Sequence, residues 1–117
     1  MINAGAFQRG ETVSLLVAPY IGVQGDVTGL PTANLKPAIA GRASVPGDDV
    51  TAATAFSVAA SAASGAVPAG WTITLSAAQT LALSPGAYVT DVRCVVAGGI
   101  VISEPCTLQL VNAVTPS

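Results

Sequence analysis

Six carboxylates, two thiols and four basic side chains carry the ionisable chemistry of this 117-residue chain, which has no histidine. Acid–base or nucleophilic catalysis near neutral pH needs a positioned base, and without histidine that work falls to carboxylates. They are Glu11, Asp26, Asp48, Asp49, Asp91 and Glu104, and only Asp48 and Asp49 are adjacent. That pair follows Val45-Pro46-Gly47, where proline fixes φ and aspartates bond local backbone, so a solvated turn is expected there. A calcium site would need six to eight oxygen ligands, which one turn does not supply. The Gly22–Gly29 stretch lacks the lysine of a phosphate loop. No catalytic residue and no cofactor is expected.

Cys94 and Cys106 are too few for a structural zinc site. If Gly98-Gly99 is a two-residue turn, Cys94 faces Ser103 and Cys106 faces Asp91. The thiols then point to opposite faces of the hairpin and stay free. Pro105 is able to add a bulge and shift that register.

The basic residues Arg9, Lys36, Arg42 and Arg93 are scattered, with a net charge of −2. Phosphate binding needs clustered Lys or Arg, so no nucleic-acid partner is expected. No stretch approaches the ~20 apolar residues of a spanning helix, and the first residues lack a basic region followed by an apolar run. No membrane partner and no secretory signal are expected. Only 9% of residues are charged, 51% are hydrophobic and 4% are aromatic. Interfaces are depleted in charge at their centres, which suits a subunit covered by neighbours.

The elements that would position these groups read as short strands between breakers. Thr12–Val17 is β-rich and ends at Pro19. Gly22–Pro37 reads as a long loop with a short edge strand, and Ala38–Ala43 as a strand of small residues. Ala52–Ala60 alternates with a period of two and reads as one strand. Gly65–Pro68 closes a turn. Gly70–Leu75 is a strand around Trp71, expected in the core with Phe56. Ser76-Ala77-Ala78-Gln79 has the spacing of a capping box and predicts one helical turn. Ser84-Pro85-Gly86-Ala87-Tyr88 then turns into a strand that continues to Val96, Gly98-Gly99 turns it back, and Ile100–Val111 returns antiparallel. Tyr88 sits where sandwiches place a corner tyrosine whose hydroxyl ties the crossover to the strand. Tyr88, Thr90, Val92, Cys94 and Val96 form the core face of that hairpin. Val89, Asp91, Arg93 and Val95 form the outer face, where Asp91 and Arg93 are spaced to pair.

The reading is an all-β single domain over residues 1–117, an antiparallel β-sandwich of roughly seven strands. Residues 1–7 and 111–117 read as arms that order against a neighbour, and removing Met1–Ala6 is expected to leave the sandwich folded. The candidate interface residues are Met1, Ile2, Phe7, Val89, Val95 and Val114. Trp71, Ser76, Gln79 and Tyr88 are the structural ones. Tyr20, in Pro19-Tyr20-Ile21-Gly22, is the aromatic placed to stack on a sugar.

Several segments resemble one family. Phe7-Gln8-Arg9-Gly10-Glu11-Thr12, Val27-Thr28-Gly29-Leu30, the run Trp71 to Thr80, Gly86-Ala87-Tyr88-Val89-Thr90-Asp91-Val92 and Val114-Thr115-Pro116-Ser117 look like small virion proteins of tailed bacteriophages and prophages. The likeness covers most of the chain, and Ala38–Ala63 departs from it by being richer in alanine. These proteins are immunoglobulin-like sandwiches, similar to the N-terminal domain of baseplate upper proteins and to head-decoration domains. The resemblance implies a non-enzymatic structural subunit, assembled in the host cytoplasm into a virion. Many copies would pack on the capsid or in the tail or baseplate, with other virion proteins as partners. The alternative is a tail module that binds host-surface glycan through Tyr20.

Overall fold

The computed structural model describes residues 2–17, 29–38, 46, 50–62, 65, 70–96, 98–102 and 105–114. It is an all-β sandwich of a larger and a smaller sheet, with a single short helix among the described residues. In chain order the elements are β1 (Ile2–Gln8), β2 (Val13–Val17), β3 (Thr32–Pro37), β4 (Thr54–Ala55), β5 (Ser57–Ser61) and β6 (Gly70–Leu75). Then follow α1 (Ala77–Ala82), β7 (Gly86–Val96), β8 (Gly99–Ile102) and β9 (Cys106–Val111).

The smaller sheet runs β2-β6-β5, antiparallel throughout, with Val13 opposite Leu75 and Ser57 opposite Thr74. Trp71, Ile73 and Leu75 alternate with two threonines along β6, so the pleat drives one set inward and leaves the other half-covered. The larger sheet runs β1-β9-β7-β3-β4, and β8 extends the β9 side of β7. Leu35, Ile73, Leu75, Leu108 and Leu110 fill the space between the sheets, and Tyr88 and Phe56 are buried in the same core. Trp71 is buried at the end of β6.

Four expectations need correction. Thr32–Pro37 is an interior strand, hydrogen-bonded to β7 on one side and β4 on the other. Pro31 and Pro37 bracket it and disguise its alternation, in which Ala33 and Leu35 face the core. Pro37 lies past the end of the β3–β4 ladder, so its missing N–H costs that ladder nothing. The expected strand at Ala52–Ala60 is two strands in different sheets. β4 pairs with β3, β5 pairs with β6, and buried Phe56 sits between them, its N–H donating to Ala33 O at 2.9 Å.

Third, residues 2–8 are a strand rather than an arm. They pair in parallel with β9, and Ala4 and Phe7 pack against the core. Gly5, at φ 106°, carries the one-residue bulge between Asn3 and Ala6, a conformation that disfavours a side chain. Fourth, the return from β7 is split and its register differs. Cys94 faces Val101 rather than Ser103, and Cys106 faces Thr90 rather than Asp91. A one-residue slip between β8 and β9 puts both cysteines on the same face of the sheet. They are separated by four residues along β7, and both are free thiols. The expected elements at Ala38–Ala43, Val45–Asp49 and Gly65–Pro68 lie almost wholly outside the described residues.

Candidate functional site

The short crossover that carries the sequence signals is anchored from three directions. Ser76 caps α1: the Gln79 N–H donates to its Oγ at 3.1 Å, and its own N–H donates to Gln79 Oε1 at 2.8 Å. The expected capping box is therefore present. Gln79 does more, since its Nε2 donates to Thr54 Oγ1 at 2.9 Å and to Ala55 O at 2.8 Å. It ties the helix to β4, beside the point where the chain changes sheets. Tyr88 Oη donates to Ser84 O at 2.7 Å, the corner contact expected of it.

Arg9 and Thr80 complete the anchorage. The Arg9 guanidinium donates to Leu83 O at 2.6 Å, to Leu81 O at 2.7 Å and to Asn112 Oδ1 at 3.1 Å. It thus satisfies carbonyls that the end of α1 leaves without a helical partner. The Thr80 hydroxyl, fully buried, accepts from the Gly10 N–H at 3.0 Å and donates to Glu11 O at 2.8 Å and Ala77 O at 3.1 Å. The sequence carries no short-range signal for either role, because the Arg9 partners lie more than 70 residues away. The one available clue is compositional: Arg9 is one of four basic residues in a chain that uses few charges.

The remaining candidates fall into distinct environments. Val89 is buried despite lying on the outer face, so it is not available as an interface residue. Its cross-strand neighbours on that face are Lys36 and Thr107, both half-buried, in the middle of the larger sheet. Phe7 is half-buried against the core and belongs to the fold. Val114 is 95% exposed. Met1 and Tyr20 lie outside the described residues, as do Asp26, Asp48, Asp49 and Glu104, and the Ile2 side chain is not described. Among the described residues no aromatic side chain is exposed, and no group of His, Cys, Asp or Glu is arranged to hold a metal. No described helix is long and apolar enough to cross a membrane.

Val95 does stand on an open surface, together with two residues the sequence reading did not select. It pairs with Ile100, and Arg93 pairs with Ile102, so all four side chains share the outer face of a two-stranded ribbon. Val95, Ile100 and Ile102 are 47%, 52% and 55% exposed. The ribbon runs past β3, whose pairing with β7 ends at Thr32 and Arg93. A second apolar feature is an open groove of about 340 Å³ lined by Leu30, Pro31, Ala33, Asn34, Phe56 and Val58. No titratable side chain lines it. Burial raises the Cys94 thiol above the usual range. It raises Cys106 as well, partly opposed by a hydrogen bond from the Ala4 backbone. Neither thiol has the lowered pKa of a reactive nucleophile. Comparison with protein-family models, with curated proteins and with solved structures found no match to this chain.

Proposed function

We propose that this chain is a non-enzymatic structural subunit of a tailed-phage virion, used in many copies on the capsid or in the tail or baseplate. The observation that carries the proposal is the projecting ribbon with exposed Val95, Ile100 and Ile102 on a chain with few charges. Exposed apolar surface rimmed by polar residues marks contact sites on proteins. The polar side chains around α1 are spent on holding the fold: Arg9, Ser76, Gln79, Thr80 and Tyr88 all bond within the chain. The segments that resemble small phage virion proteins supply the setting.

In the same reading the sandwich is immunoglobulin-like. β2, β6 and β5 take the places of strands B, E and D, and β3, β7 and β9 those of C, F and G, with β4 as a rudimentary C′. The Tyr88–Ser84 corner before β7 supports that assignment. Modest affinity at each contact is enough in such an assembly, because repeated copies multiply it.

The test is quantitative mass spectrometry and cryo-EM of virions produced from the genome that encodes the chain. Many symmetric copies on the particle are expected. Purified particles that lack the chain would overturn the proposal. Tyr20 is the candidate of the glycan-binding alternative, and no described residue adds to it.

A further inference from the structure

The backbone of β8 presents an edge that no described strand uses. Odd-numbered residues of β7 turn their main-chain groups toward β3, as the bond from Ala38 N–H to Ala87 O at that edge illustrates. Cys94 and Val96 therefore bond toward β8, where Val101 and Gly99 stand opposite them. The N–H and C=O groups of Ile100 and Ile102 consequently point away from the ribbon. Natural edge strands are protected by shortness, lysine, proline, a bulge or an inward charge. The Gly99–Ile102 strand is short, at four residues, but has none of the other devices, and its register with β7 is unbroken.

We infer that a second copy of this chain covers this edge, with β8 pairing antiparallel to its counterpart about a two-fold axis through Val101. The inference rests on the many-copy reading for its setting in a particle, but the contact itself needs only two copies of the chain. The axis at Val101 sets Ile100 against the partner's Ile102 and Ile102 against the partner's Ile100. The outward main-chain groups of both residues then meet as hydrogen-bonded pairs. Moving the axis one residue in either direction sets an isoleucine opposite residue 98, in the turn, or residue 104, past the end of the strand. Only the Val101 axis pairs both isoleucines within the strand.

Charge does not oppose this arrangement. Across the four strands one row of outer side chains reads Arg93, Ile102, the partner's Ile100, the partner's Val95, and the symmetry-related row reads the reverse. Six apolar side chains come together, and the two arginines end at opposite corners. Three strand spacings separate those corners, ~14 Å, which exceeds the ~8 Å screening length at physiological salt. A different partner strand would have to match an uncharged apolar edge, whereas a second copy does so by symmetry. Because β8 has one open edge, assembly through it stops at two. The contact is far smaller than the ~1,200 Å² of stable interfaces, so the dimer is weak in isolation.

Sedimentation of the full chain under reducing conditions, from roughly 10 μM to roughly 1 mM, tests the contact in the range expected of a weak interface. A concentration-dependent monomer–dimer equilibrium is expected. Ile100→Lys and Ile102→Glu should each weaken it about tenfold or more, because each sets a charged side chain against the partner's isoleucine, the glutamate having an opposite charge only in Arg93 of its own chain. The double variant Ile100→Lys/Ile102→Glu should recover most of the loss, since each new lysine meets a new glutamate across the axis.

A Val101→Cys variant, with Cys94→Ser and Cys106→Ser, should cross-link under mild oxidation. Residues on the axis form a non-hydrogen-bonded pair with Cα atoms ~4.5 Å apart, within disulfide reach. The same background with Val95→Cys should not cross-link. A chain monomeric throughout the range, single variants with unchanged association, a double variant without recovery, or a Val101→Cys chain that stays uncross-linked would each overturn the pairing. A monomeric chain found at many copies in virions removes the β8 contact and leaves the structural role. A dimer absent from virions does the reverse.

Discussion

Thr80 has the most to lose from one atom. Its hydroxyl serves the Gly10 N–H, the Glu11 carbonyl and the Ala77 carbonyl from a fully buried position. Thr80→Val keeps the shape and strands these partners, so a loss of about 2–3 kcal/mol is expected from the urea midpoint. Tyr88→Phe removes one bond, to the Ser84 carbonyl, where Thr80→Val removes three. A loss of about 1 kcal/mol is expected there. Equal costs for the two substitutions would contradict this ranking. The cysteines give a pH prediction. Their folded pKa values are raised by burial, so the folded state holds the thiol protons more tightly than the unfolded chain. Their contribution to stability is fully present below the ordinary thiol range and is lost as pH rises through the folded values. Iodoacetamide should label both thiols more slowly in the native protein than in urea at the same pH.

Among the elements, α1 is short, and caps and tethers decide its stability. Ser76→Ala is expected to cost about 1 kcal/mol as an ordinary N-cap loss. Gln79→Ala removes the reciprocal half of the box together with the bonds to Thr54 and Ala55. It should accelerate amide exchange at Ala53 and Phe56, whose N–H groups donate to β3, while Ser76→Ala leaves those amides protected. Equal exchange in the two variants would mean that Gln79 only caps. Spacing within four residues makes the capping box legible, because both partners are local. The tether to β4 is not, because its donor and acceptors are some 25 residues apart and meet only after the chain has changed sheets at Phe56. Ala52–Ala60 shows why: a period of two reports that a segment is extended, not which sheet takes each half.

For the whole molecule, the position of β1 changes what a truncation does. Deleting residues 1–6 removes most of the ladder to β9 and the packing of Ala4. A loss of at least about 2 kcal/mol is expected, from backbone bonds at ~1 kcal/mol each. An unchanged midpoint would return the segment to the role of a detachable arm. Far-UV circular dichroism of the intact chain should be strand-dominated, in keeping with its nine strands and one six-residue helix among the described residues.

Local chemistry by itself determined the all-β class, the capped turn at Ser76–Gln79, the corner at Tyr88 and the core face of β7, because each depends on neighbours within a few residues. Tertiary structure decided the rest. Residues 2–8 became a strand because β9 offers them a ladder, and Thr32–Pro37 became an interior strand because β7 and β4 flank it. Val89 was buried by cross-strand neighbours on a face that alternation alone marks as outer. The cysteines came to share a face through a slip between β8 and β9 that no residue announces. Alternation assigns a side chain to one of two faces, but which face is covered, and by what, depends on pairings between residues far apart in the chain.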